Sequence, residues 1–316
     1  MTETTNLKLG IVFPGQGSQS VGMLADLAAE HAEVGDSFAQ ASKILGYDLW
    51  KLVQDGPAEE LNQTDRTQPA MLVSGVAAWR VWQALGGAIP AVMAGHSLGE
   101  YTALVCAGVL GFEDAVGLVA ERGRCMQTAV PNGVGGMAAI LGLDDEAVAE
   151  VCSQAADDEV VSPVNYNSPG QVVIAGHVAA VQRAIVFAKE AGAKRALELP
   201  VSVPSHCALM EPAAEQFSES LERVELHPSR IPVIQNVDAD SHDDPELIRT
   251  NLRKQLYSPV QWVNTIKAMG EIGVTQVFEI GPGKVLAGLG RRIDKSVSHT
   301  AVYDPDTIKA ALAAQG

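Results

Sequence analysis

The chain has 316 residues, 47% of them hydrophobic and 19% charged, which is enough for one large domain or a large one with a small companion. A net charge of −16 argues against non-specific attraction to nucleic acid. No run approaches the ~18 consecutive apolar residues of a membrane span, so no membrane association is expected.

The opening MTETTNLKLG shows neither the basic nor the apolar region of a secretory signal. Cys106, Cys125, Cys152 and Cys207 form no C-x-x-C and sit among apolar neighbours, so reduced, mostly buried thiols in a cytoplasmic protein are expected. The overall charge would repel an acidic partner unless a basic patch overrides it. Lys194-Arg195 and Arg291-Arg292 with Lys295 are the densest basic spots, each read first as a solvated helix face.

In chain order, the first strand is expected over 7–13 (LKLGIVF), ending in the turn Pro14-Gly15-Gln16-Gly17. Apolar residues at helical spacing predict a helix over 70–85. A short buried strand follows at 91–95 (AVMAG), then helices over 98–110 and 114–130. Further strands are expected at 231–237 and 275–280, with a helix over 259–269 between them. This βαβ rhythm predicts a parallel sheet covered by helices. Between Pro131 and Pro204 the texture changes to β-α-β-β-α-β, the ferredoxin-like pattern, with Gly and Pro at 131–136 and 200–204 marking crossing points.

Several Gly-rich segments carry no ligand signal. GVGGMA (133–138) matches a dinucleotide fingerprint loosely but precedes a strand and opens no helix. GPGKVL (281–286) lacks the Walker A spacing. Both are expected to be turns. No group of His, Cys and carboxylates has metal-ligand spacing, and no metal is expected.

GHSLG (95–99) is different. It matches G-x-S-x-G directly after a short apolar strand and before a helix, the context in which the serine sits on a tight turn with its hydroxyl exposed. A helix N-terminus there also offers free N–H groups to a developing oxyanion. An N-cap serine in a tight loop is the plain alternative; the context favours Ser97 as a nucleophile.

A serine nucleophile needs a base, and the chain has seven histidines. His31 lies in a polar helical stretch, and His227, His242 and His299 lie in polar segments expected to be exposed. His177 ends a strand of the expected insertion. His96 adjoins the serine, but adjacent side chains on a sharp turn point apart, so it is expected to line the pocket. Elimination leaves His206, in LPVSVPSHCALM, where Pro204 stiffens the approach to a helix.

FPGQGSQ, GHSLGEYTALVCAG, ERGRCMQ, VNYNSPGQVVIAG, VPSHCALM, QLYSPVQW and EIGPGKVLAGL together resemble the malonyl-CoA:acyl-carrier-protein transacylases of bacterial fatty-acid synthesis, in family order from about Val12 to Arg292. The resemblance implies an α/β fold: a large α/β-hydrolase-like subdomain (1–131 and 204–316) carrying an inserted ferredoxin-like subdomain (132–203). It implies a Ser97–His206 pair and an oxyanion hole made by the backbone N–H groups of Gln16 and Leu98. It also implies a Gln255 whose main-chain carbonyl orients the histidine. In the usual triad a carboxylate does this; Asp238 and Asp240 are the hydrolase-style alternatives, and neither is assigned. ERGRC offers Arg122 and Arg124 equally as partner for a substrate carboxylate, and only the resemblance selects Arg122. His96 is placed among the substrate-binding residues, and Ser205 with Leu98 along the pocket.

The implied reaction is ping-pong transfer of malonyl from malonyl-CoA to the phosphopantetheine thiol of acyl carrier protein through a malonyl-serine ester. It implies no cofactor beyond these substrates, and a monomer is expected. An esterase would share the elbow, but the chain lacks an HGGG-type motif and an evident acid member. A non-catalytic interaction module would have no need of an intact Ser97, His206 and Arg122.

Overall fold

The computed structural model describes residues 5–131, 133–201 and 203–315. Asn132, the first residue of the expected insertion, and Met1 to Thr4 lie outside the described residues. The described residues hold nine strands: β1 (Thr5–Phe13), β2 (Ile89–Gly95), β3 (Gly135–Leu141), β4 (Val161–Ser168), β5 (Gln171–His177), β6 (Arg195–Glu198), β7 (Val233–Ile234), β8 (Gln276–Ile280) and β9 (Ser298–Val302).

Five of them form a parallel sheet in the order β7-β2-β1-β8-β9. β1 is central and covered on both faces, which is why its second half is a continuous buried run. Leu9, Ile11 and Phe13 face a core built with the long helix Thr64–Ala84. Val12 faces the opposite core with Val92, Ala94, Trp262, Ile266 and Leu286. From β1 the chain first adds β2 on one side and later β8 on the other. The crevice at the carboxyl ends of these three strands is where such sheets bind ligands.

The second sheet is antiparallel, in the order β4-β5-β3-β6. With helices Asp145–Ala156 and Val178–Glu190 it follows the β-α-β-β-α-β order read from the pattern. The alternation along β5 divides its faces: Val172 and Ile174 pack with the two helices, and Val173 and Ala175 pack with Cys207 on the other side. β4 also pairs with the segment after Gln255, through Tyr166 N–H to Val260 O (3.1 Å) and Val260 N–H to Val164 O (2.8 Å). The two sheets are therefore joined beside the crevice.

Some boundaries differ from expectation. The helix predicted over 70–85 begins at Thr64, because polar Thr67 and Gln68 are buried with partners of their own. The helix predicted over 98–110 stops at Cys106, and Gly108 turns the chain with φ 79. The strand predicted over 231–237 pairs only at 233–234, since Gln235 and Asn236 leave the ladder to bind groups under the elbow.

Both Gly-rich segments expected to be turns are so only in part. Gly133-Val134 turn, but Gly135 to Ala138 belong to β3. GPGK bends the chain, while Val285 and Leu286 open the helix Val285–Ile293. Buried Glu279 caps that helix, accepting the N–H groups of Leu286 (3.0 Å) and Ala287 (2.7 Å). His299, expected to be exposed, is buried in β9. Its ring lies against Gly290, and desolvation lowers its pKa to about 4. Cys125, Cys152 and Cys207 are buried and Cys106 half-buried, all unpaired. No described helix is long and apolar enough to cross a membrane.

Candidate active site

β2 runs straight into the elbow. Ser97 holds φ 52 and ψ −110, a strained backbone for a non-glycine residue, and the helix Leu98–Cys106 begins directly after it. The turn closes because Gly95 and Gly99 have no side chains. A Cβ on Gly95 would overlap the backbone of Gly99 and Glu100, and one on Gly99 would overlap the carbonyl of Phe13. Asn236 pins the elbow from just past β7: Oδ1 accepts the Ser97 N–H (2.7 Å) and Nδ2 donates to Gly95 O (2.7 Å). Gly95→Ala is accordingly expected to cost about 1–3 kcal/mol or more, as overpacking against backbone does. Thermal unfolding checks this, and a wild-type midpoint would show that the elbow yields more easily than its packing implies.

His206 comes from the segment returning from the antiparallel sheet and meets the elbow across 109 positions of sequence. Its Nε2 lies 2.8 Å from Ser97 Oγ. Its Nδ1 donates to the Gln255 carbonyl at 2.6 Å, which leaves Nε2 as the acceptor facing the serine hydroxyl. The ring is buried, and desolvation, with the nearby Arg122 charge, pushes its pKa down to about 3. The ring is therefore neutral at ordinary pH. Asp238 and Asp240 are exposed and stand apart from it; Asp238 pairs with His242 and Asn251 instead.

The helix Phe112–Thr128 separates the two arginines of ERGRC. Arg124 is 66% exposed and pairs with Glu121, whereas Arg122 is 1% exposed and points inward. Arg122 Nη1 donates to Gln68 Oε1 and Nη2 to Gln255 Oε1, both at 2.9 Å. Its guanidinium lies 5.3 Å from the centre of the Tyr101 ring. Gln255 thus joins the whole site. Its carbonyl holds His206, its Oε1 holds Arg122, and its Nε2 donates to Ser97 O at 3.1 Å.

Two residues that the pattern did not single out complete this network. Glu100, on the first turn after the elbow, accepts from Gln235 Nε2 (3.1 Å), Asn236 N–H (2.8 Å) and Gln255 Nε2 (2.9 Å). Burial raises its pKa to about 7, against the pull of those donors and of Arg122. Asn236 is the other. A carboxylate three residues past an elbow serine, on a helix otherwise apolar around it, was the available signal for Glu100. None existed for Asn236, which lies 139 positions from the serine it holds.

The loop after β1 lies over the elbow: a Cβ on Gly15 would overlap the His96 carbonyl and stand 3.7 Å from Leu98 N. The N–H groups of Gln16 and Leu98 find no acceptor among the described residues. His96 is half-buried. Its Nε2 lies 2.8 Å from Asn167 Oδ1 on β4, and its ring packs 5.4 Å from Trp262. Ser205 is half-buried next to His206. Among the described residues no cluster of His, Cys, Asp and Glu could hold a metal ion.

A serine on a strand-to-helix elbow, at the start of a helix and hydrogen-bonded to a neutral histidine, is the equipment of enzymes that carry an acyl group on serine. Residues 11–305 match the acyl transferase domain family. The malonyl CoA-acyl carrier protein transacylase of Salmonella typhimurium is 57% identical over 305 residues, covering 96% of this chain and 99% of that protein. The one from Haemophilus influenzae is 58% identical over 304 residues, covering 96% and 97%. An acyl carrier protein S-malonyltransferase structure from Vibrio cholerae aligns with a TM-score of 0.94 at 61% identity, covering 96% of this chain and 99% of that one. A malonyl-transacylase solved in complex with its type II PKS acyl-carrier protein aligns with a TM-score of 0.96 at 55% identity, covering 97% and 99%. The chain belongs to the malonyl CoA-acyl carrier protein transacylases of the acyl transferase family.

Proposed function

We propose that this chain moves a malonyl group from malonyl-CoA to the phosphopantetheine thiol of acyl carrier protein, in fatty-acid synthesis, through an ester on Ser97. The observation that carries the reading is the Gln255 junction, which ties the serine, its base and a buried arginine into one unit.

In the first half-reaction Ser97 Oγ attacks the thioester carbonyl while its proton passes to His206 Nε2. The oxyanion is received by the N–H groups of Leu98 and Gln16. The C–S bond then breaks, and the leaving sulfur takes the proton from His206 as CoA thiol. In the second half the carrier thiol gives its proton to His206 and attacks the ester carbonyl. The C–O bond breaks, and Ser97 recovers the proton. These steps ask for no cofactor or metal.

His96, fixed by Asn167, borders the acyl group, and the partner is an acyl carrier protein, as in the solved complex of the relative. We read the chain as cytoplasmic on its four unpaired cysteines, and as a monomer.

Arg122 is the carboxylate anchor in this reading. A carboxylate entering a desolvated pocket needs a charged partner, and the guanidinium fork can donate two parallel hydrogen bonds to it. A charged hydrogen bond of this kind is worth about 1.5–3 kcal/mol, or roughly 10–150-fold. Arg122→Ala is therefore expected to lose malonyl loading by at least that factor while acetyl loads as well or better. Intact-mass measurement after brief exposure to each acyl-CoA checks this. A parallel loss of both groups would make Arg122 a structural residue.

A further inference from the structure

Arg122 makes no direct contact with a carboxylate among the described residues; its two side-chain hydrogen bonds go to the neutral amides of Gln68 and Gln255. A buried cation held by two amides and the face of one tyrosine ring is costly unless a counter-charge lies near. The nearest one in this network is one amide away. Gln255 Oε1 accepts from Arg122 Nη2 at 2.9 Å, and Gln255 Nε2 donates to Glu100 Oε2, also at 2.9 Å. Glu100 is fully buried, and its other partners, Gln235 Nε2 and the Asn236 N–H, are N–H donors. All three partners donate, which fits the ionised carboxylate. Burial holds its pKa up at about 7, so the charge is fully present above neutral pH, the range in which its removal is tested.

We propose that Glu100 is the counter-ion of Arg122, held off by the width of the Gln255 amide, and that this spacing tunes the site's preference for acyl groups bearing a carboxylate. In direct contact, Glu100 would close the guanidinium fork against the substrate. Spaced as it is, it offsets the buried charge of the resting site and leaves Nε and the second N–H of each Nη for the substrate. Its negative charge also opposes the incoming carboxylate, so the preference for malonyl is held below what Arg122 alone would produce. This inference rests on Arg122 meeting the substrate carboxylate.

Glu100→Gln tests it, since it removes the charge and keeps the shape. Gln235 can turn its side-chain amide to accept from the new one, giving up only its 3.2 Å bond from Asn251 Nδ2. KM and loading rate are measured for malonyl-CoA and acetyl-CoA on the same preparation. The expected result is a malonyl-CoA KM lower by about 3–30-fold, the scale of one partly screened unit charge, with acetyl-CoA nearly unchanged. A common factor on both substrates, no change in either, or a lower preference for malonyl overturns the proposal. Wild-type protein that takes no malonyl at all would instead refute the functional reading itself.

Thermal unfolding of Glu100→Gln, Arg122→Met and the double variant supplies a readout independent of activity. The glutamine is expected to lower the midpoint less in the Arg122→Met background than alone; additive losses overturn the pairing. If Glu100→Gln alone does not fold, folding of the double variant supports the proposal. Failure of the double as well overturns it, leaving Glu100 a clamp for Gln235 and Asn236.

Discussion

Ser97→Ala is expected to take up no acyl group from malonyl-CoA and to keep the wild-type fold. Alanine retains the Cβ that already sits at φ 52, so the elbow carries the same backbone strain with either residue. The Asn236 bond to the Ser97 N–H and the close approach of Gly95 to Gly99 involve only backbone at these positions, and both survive. What disappears is the Oγ and its 2.8 Å bond to His206 Nε2. Removing a serine nucleophile of this kind costs about 10⁶-fold in turnover. Intact mass of the protein after exposure to malonyl-CoA, with circular dichroism as the control on folding, decides the matter. An adduct persisting on the alanine variant would move the nucleophile elsewhere.

Replacement of His206 is expected to lower transfer roughly 10²–10⁴-fold, the span of a positioned acid–base group. Alanine is a blunt instrument here, because His206 itself holds φ 67 and its removal leaves the Gln255 carbonyl without its partner. Asparagine tolerates a left-handed backbone better, so His206→Asn should fold where alanine is marginal and still lack a base at Nε2. Wild-type rates in both variants, with collapse in His96→Ala, would name the other histidine as the base. The bond from His96 to Asn167 points against that outcome.

Burial adds a pH signature. With its pKa depressed from 6.5 to about 3, His206 stays neutral as the pH falls through the range where a free imidazole protonates. The loading rate should therefore show no acid limb from His206 near 6.5, only one far below it. A limb near 6.5 that His206→Asn abolishes would mean that the ring titrates normally.

These expectations draw unequally on sequence and structure. Ser97 is legible in one dimension because the elbow is a local device. The strand, the two small residues and the helix that make it all lie within 89–106, and G-x-S-x-G is what the sterics of that turn demand. The parallel sheet is legible for a similar reason, since a doubly covered strand such as β1 must be apolar without interruption. The antiparallel unit is legible from its order of helical and alternating runs.

Choosing His206 from seven histidines required elimination together with family resemblance. One step of that elimination treated His299 as exposed, although it is buried in β9. Its polar neighbours gave no hint of the ring's packing against Gly290.

Beyond such local signals, distance along the chain decides what can be read. The amino-acid sequence by itself determined the strand-to-helix elbow with its serine and the two sheet types, because each follows from spacing or composition within a short stretch. Spacing leaves the two arginines of ERGRC equal; the resemblance selects Arg122, and the tertiary structure turns that one inward. The two are neighbours on one helix, and the choice depends on Gln68 and Gln255, 54 and 133 positions from Arg122. The tertiary structure set the Gln255 carbonyl, which the resemblance implies, against His206 Nδ1, and it alone brought Glu100, Asn236 and Gln255 together under Ser97. A buried hydrogen bond is made by direction and separation in space, and side chains from four separate elements acquire those only when the sheet has formed around them.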